Sequence, residues 1–171
     1  ILADNSPYFE SGVKLTYTSD NNKWVVSGLV LNGWQRIKRV DANSLMSYGT
    51  QLQYKPNSNI TLNYSTFIGT DKPDSARLWR YFHNVYGVIN VTGKFGITAG
   101  FDIGSEQKTK GSNDFNTWYS PVLILKYAVT PKWTVAARGE YYDDKYGVII
   151  AGGTPNGFKT AGYSLNIDYA P

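Results

Sequence analysis

The side chains here with the most chemistry to offer are charged and amide groups spaced two residues apart. Arg138 and Glu140 sit in "TVAARGEYYDD", Gln51 and Gln53 in "YGTQLQYK", and Asn166 and Asp168 in "SLNIDYA". A spacing of two is the side-chain period of a strand, so each pair shares one face. A polar face of this kind solvates and selects by charge; it makes no bonds. The groups that make bonds are scarce. There is no Cys, which removes thiolate ligands and cysteine nucleophiles. His83, in "RYFHNVYG", is the sole histidine and has no second His or Cys with which to hold a metal. Asp143 and Asp144 in "EYYDDK" read as a solvated loop mouth, with calcium binding the lesser alternative. "GGTPNG" lacks the lysine of a phosphate-binding loop. "DSA" around Ser75 has the form of a bacterial O-glycosylation motif but is short enough to arise by chance. No catalytic residue, metal site or cofactor is assigned.

The elements that must position these groups are strands. Helical periodicity is nearly absent, and period 2 recurs over 8–19, 23–36, 45–55, 59–70, 78–91, 94–105, 117–129, 132–143 and 158–170. That makes about nine strands of roughly 10–14 residues, where soluble strands average about five or six. A tilted strand needs about 9–11 residues to cross the hydrocarbon of a bilayer. The connections alternate. "SDNNK", "KPNSN", "VTGK" and "VTPKW" are tight turns, while 37–44, 70–77, 105–116 and 144–157 are longer and polar. Short turns on one side and long loops on the other mark an outer-membrane β-barrel. No window of about 18 apolar residues offers a transmembrane helix.

Composition agrees. Aromatics make up 15% of the 171 residues, with 14 Tyr and 5 Trp, while charged residues are only 18%. The net charge of +4 is spread singly, without the clustering that nucleic-acid binding needs, so nucleic acid is excluded as a partner. Aromatics also recur at one height. Trp24, Phe95 and Trp133 follow tight turns, and Tyr17, Tyr54 and Tyr127 precede them, with Tyr169 in the matching place. These seven are predicted to form a girdle where rings sit half in lipid and half in water. In "FGITAGFDIG" (95–104), Phe95, Ile97, Ala99, Phe101 and Ile103 share one face and Thr98 and Asp102 the other. The apolar face is predicted to meet lipid and the polar face a wet lumen. The lumen face collects Glu10, Lys14, Arg36, Gln51, Gln53, Lys55, Asn63, Arg80, Asp102, Lys126, Arg138, Glu140, Asn166 and Asp168. A cross-strand partner is expected for each of Arg138 and Glu140. Strands 23–36 and 78–91 carry apolar residues on both faces, which a bulge or aromatics inside the lumen would explain. Pro121 cannot donate a ladder bond, so a bulge, or pairing that starts just after it, is expected there.

Several phrases, in order, resemble a known family: "SPYFESGVKLTYTS", "LNGWQRI", "YGTQLQYKPNSNITLNYSTFIG", "KFGITAGFDIGSEQK", "TWYSPVLILKY" and "GTPNGFKTAGYSLNIDYAP". Together the chain resembles the OmpL-like β-barrel porin family of Bacteroidota outer membranes. The resemblance implies an outer-membrane barrel with a porin role and no catalytic residues. Family members are longer, and an odd strand count does not bring both ends of an up-and-down barrel to one side. Residues 1–171 are therefore expected to form a single barrel domain that is a C-terminal-half segment of a larger one, the alternative being a count one too high and an eight-strand barrel. The expected function is passive diffusion of small hydrophilic solutes or ions, with mild anion preference from the excess of basic wall residues. The alternative is a scaffold barrel with a plugged lumen that binds an outer-membrane protein. A bilayer, small solutes and a second copy or another membrane protein are the expected partners.

Overall fold

The computed structural model describes residues 6–171. Nine strands run in chain order: β1 Gly12–Thr18, β2 Trp24–Leu31, β3 Ser47–Asn57, β4 Ile60–Gly69, β5 Arg80–Asn90, β6 Phe95–Gln107, β7 Phe115–Ala128, β8 Trp133–Asp144 and β9 Phe158–Tyr169. One 3-10 turn spans Asp74–Ala76. Every strand pairs antiparallel with its sequence neighbours, in the order β1 through β9. The sheet is an up-and-down meander of long strands, as the period-2 pattern predicts. It is open: among the described residues no pairing joins β1 to β9.

Turn chemistry sets the register. In "VTGKF" the Thr92 hydroxyl accepts the amides of Lys94 and Phe95 at 3.2 and 3.0 Å. In "VTPKW" Thr130 does the same for Lys132 and Trp133 at 3.2 and 3.1 Å. A short polar side chain that closes on its own backbone is what favours Thr, Ser and Asn in such turns. Asn21 and Asn57 repeat the device, each accepting an amide two residues on, from Lys23 and Asn59.

Two strands are shorter than the pattern predicts. β2 stops at Leu31, not at residue 36. Gly33 has φ +141°, a conformation that disfavours a Cβ, and the Asp71 carboxylate lies where that Cβ would be. The chain turns inward there and delivers Trp34 to the concave face, so Arg36 belongs to a loop and not to a strand wall. β1 begins at Gly12, not at residue 8. Its last tie to β2 is the Asn32 amide on the Ser11 carbonyl at 2.9 Å, and the Ser6 carbonyl instead accepts from the Gln35 amide group at 3.3 Å.

Pro121 creates no bulge toward β6, where β7 runs through it in unbroken register with Phe101 opposite Pro121. Toward β8 the second expectation holds: Tyr119 lies opposite Asp143, pairing lapses at Ser120 and Pro121, and it is continuous from Val122 opposite Glu140 onward. The Ser120 hydroxyl donates to the Tyr141 carbonyl at 2.9 Å. It supplies the bond that a residue with an N–H at 121 would have made.

The two faces differ in what they touch. Val13, Leu15, Val26, Leu52, Leu62, Val85, Phe101, Leu123, Leu165 and Ile167 all project outward and stay exposed. The core lies on the opposite, concave face at its loop end. Leu31, Trp34, Phe67, Phe82, Trp118 and Tyr142 are buried there, with Val148, Ile149, Ile150 and Phe158 against them.

Candidate functional site

The polar side of the alternation forms a connected wall. Lys14 Nζ donates to Gln51 Oε1 at 2.9 Å, and Gln51 Nε2 to Asn63 Oδ1 at 3.0 Å. Asn63 Nδ2 donates to Ser65 at 3.0 Å and to Asn84 Oδ1 at 3.3 Å, and Asn84 Nδ2 to Asp102 Oδ1 at 2.5 Å. The chain crosses from β1 to β6 and always donates in the same sense. An ammonium can only donate and a carboxylate only accepts, so the amides between them are oriented head to tail. Gln51 and Asn84 each keep one N–H for water or a solute, while Asn63 spends both of its own within the wall.

Of the residues read as lumen-facing, Lys14, Gln51, Gln53, Asn63, Asp102, Lys126, Arg138, Glu140, Asn166 and Asp168 share this face by strand parity. Lys55 also faces it, beside the register shift between Tyr54 and Asn57. Two sit outside the strands, Glu10 before β1 and Arg36 in the β2–β3 loop. Arg138 and Glu140 lack the expected cross-strand charges. Their opposite residues are Ile124 and Ser164 for Arg138, and Val122 and Gly162 for Glu140. They pair with each other along the strand, Arg138 Nη2 on Glu140 Oε2. Arg80 is not an open wall charge. Its guanidinium holds Glu106 at 2.7 and 3.0 Å, meets Asp71 at 3.6 Å and lies over the Trp34 ring at 5.3 Å. Arg36 reaches Asp71 at 3.8 Å.

The loop end of this face is aromatic. Trp34 packs edge-on against Phe67 and Phe82, both at 5.1 Å, and against Trp118 at 6.0 Å. Trp118 lies flat over Gly104, where a Cβ would overlap the indole. The β8–β9 loop folds onto the same cluster, held by Asp144. That carboxylate is fully buried and accepts the amides of Val148, Ile149 and Ile150 at 2.8, 2.8 and 2.9 Å. Asp143 points the other way, to Lys159 at 2.7 Å. Adjacent strand positions face opposite sides, so the two aspartates do not share a cation. Parity alone places Phe67 with Ser65, Phe82 with Asn84 and Trp118 with Ser120. That signal for a packed lumen end is present in the sequence. Trp34 and Asp144 leave no such signal.

Below the aromatic cluster is a cavity of about 300 Å³, bordered by Glu10, Lys14, Gln51, Ser65 and Asn84 and roofed by Phe67 and Phe82. Enclosure pushes the Glu10 carboxyl above its ordinary value, and the Lys14 charge acts against that rise, while the side chain stays open to solvent.

On the outer face, Trp24 stacks on Tyr54 with ring centroids 4.1 Å apart, and Trp133 meets Tyr169 at 4.6 Å. Phe95 lies opposite Tyr127, and Tyr17 opposite Val26. These rings line the turn end. A second set that sequence reasoning missed, Tyr81, Phe115, Tyr119 and Tyr141, lines the loop end, with Tyr81 on Phe115 and Tyr119 on Tyr141. From Tyr119 to Tyr127 is eight residues, which along a strand tilted about 40° spans roughly 20 Å of height, close to the apolar band of a barrel. His83 is on this outer face, its Nδ1 2.7 Å from the Tyr64 hydroxyl.

An apolar exterior between aromatic rows, a polar interior and an antiparallel meander with tight turns at one end and long loops at the other define an outer-membrane β-barrel of the porin type. The family model described as "Putative beta-barrel porin-2, OmpL-like" matches residues 1–171, and the chain belongs to that family. Among solved structures it is similar to a porin, NanC in a rhombohedral crystal form, with a TM-score of 0.55 and 15% identity over 95% of this chain and 79% of that one. At that identity the likeness concerns the fold alone. No curated protein matches.

Proposed function

We propose that this chain forms the wall of a passive channel through the outer membrane for small hydrophilic solutes and ions. The observation that carries this reading is the connected polar face from Lys14 to Asp102 behind an apolar exterior. Such a face costs nothing to hydrate and offers a solute replaceable hydrogen bonds. Eleven of the fourteen wall residues named from the sequence supply that surface, since Glu10 and Arg36 lie outside the strands and Arg80 is taken up by Glu106; the seven turn-end aromatics anchor it at the inner interface. Open edges at β1 and β9 would leave unsatisfied backbone in hydrocarbon at several kcal/mol per group. Further strands therefore close the sheet, giving a barrel of more than nine. No turnover chemistry is involved. Single-channel recording in planar bilayers tests the reading: discrete conductance steps with mild anion preference are expected, and a silent, folded protein removes it.

A second reading has its own support. The loop end is packed with aromatics and neutralised charges, as in a barrel that serves as a scaffold for another outer-membrane protein. Stoichiometric co-purification together with absent conductance would favour it.

A further inference from the structure

Glu10 and Lys14 border the same cavity, and Lys14 is the charge that acts on Glu10. Yet no ion pair joins them among the described residues. Lys14 is instead drawn to Gln51, and Glu10 makes no hydrogen bond there. Two opposite charges are thus held apart with a cavity between them. On the Lys14 side the remaining groups are donors. Gln51 and Asn84 each retain one amide N–H, and the Ser65 oxygen already accepts from Asn63, leaving its proton to give. A free anion there would meet Glu10, and a free cation would meet Lys14 and the donor row.

We propose that this cavity is a subsite for small zwitterionic solutes of the amino acid and dipeptide class. The carboxylate lies on Lys14 and the amides, and the ammonium on Glu10. The proposal rests on the channel reading and names its solute. A volume of about 300 Å³ stands at the small end of ligand pockets, in keeping with a molecule of this size.

Saturation-transfer NMR on the intact protein folded in detergent micelles tests this, with three probes: alanylalanine, its N-acetyl derivative and its amide. Saturable binding of alanylalanine is expected, about tenfold tighter than either capped form, since each cap removes one charge-assisted contact. E10Q brings the N-acetyl derivative level with alanylalanine, and K14Q brings the amide level. Equal binding of the three probes to the unaltered protein, or no saturable binding of alanylalanine, overturns the proposal, and this comparison decides even where a variant fails to fold. Conductance is measured separately. A conducting protein without the preference keeps the channel and loses the subsite, whereas a silent protein that shows the preference keeps the subsite and loses the channel.

Discussion

The two ends of the concave face are built on the same strands with the same parity, and they have become different materials. At the loop end Trp118 and Tyr142 are sealed from solvent, and charges such as Arg80 and Glu106 are matched nearly atom for atom. At the turn end Lys55, Lys126 and Asp168 stand open to water. The difference lies in what covers the strand. The long β2–β3 and β8–β9 loops fold back over one end, and the tight turns have nothing to fold. A wall is wet or dry according to the loops above it as much as to its own residues.

The largest effect expected from breaking this contrast is at Trp118. Trp118→Ala empties the centre of the dry end and should destabilise by about 3–5 kcal/mol, read from denaturant unfolding in micelles. A loss under about 1 kcal/mol would mean the cluster is loosely packed. Asp144→Asn comes next. It leaves three amides with a weaker acceptor and should cost about 2 kcal/mol. Hydrogen exchange at Val148, Ile149 and Ile150 should quicken while the strands are unchanged. Uniform quickening would show that Asp144 supports the whole sheet. At the wet end, Gln51→Ala interrupts the polar chain where water can take its place, so about 1 kcal/mol or less is expected in the same unfolding assay. A cost matching that of Trp118 would abolish the distinction.

The smallest effect concerns the ties among the outer loops. Asp74 accepts from Arg77 at 2.6 Å and from the Ser44 amide at 3.1 Å. The Arg77 guanidinium, followed by Ser44, lowers its carboxyl from 3.8 to about 2. A folded value below the unfolded one means that the tie contributes fully above the unfolded value. It weakens as pH falls and is lost through about 2. Exchange protection of the Ser44 amide should follow that course, and a midpoint near the ordinary carboxylate value would show the tie to be absent in solution.

The family phrases named the protein class before any coordinates, and the strands were legible because period 2 is imposed by the backbone. Nine segments alternate, so nine strands and two faces follow whatever the surroundings. The turn-end aromatics were legible because they repeat with the hairpins. The loop-end row of rings was missed because Tyr81, Tyr119 and Tyr141 sit beside irregular loops that hide the repeat.

What the sequence determined by itself is therefore which side chains share a side: Leu165 with Ile167, Asn166 with Asp168. Only the tertiary structure decided that Trp34 leaves the strand reading to become core, that Asp144 turns from a loop mouth into a buried anchor, and that Arg138 finds its partner along the strand. Alternation is local and needs two residues to express itself. Burial depends on chain that returns from far along the sequence, as Ile149 does to pack against the cluster that holds Trp34, and no spacing along the sequence encodes that return.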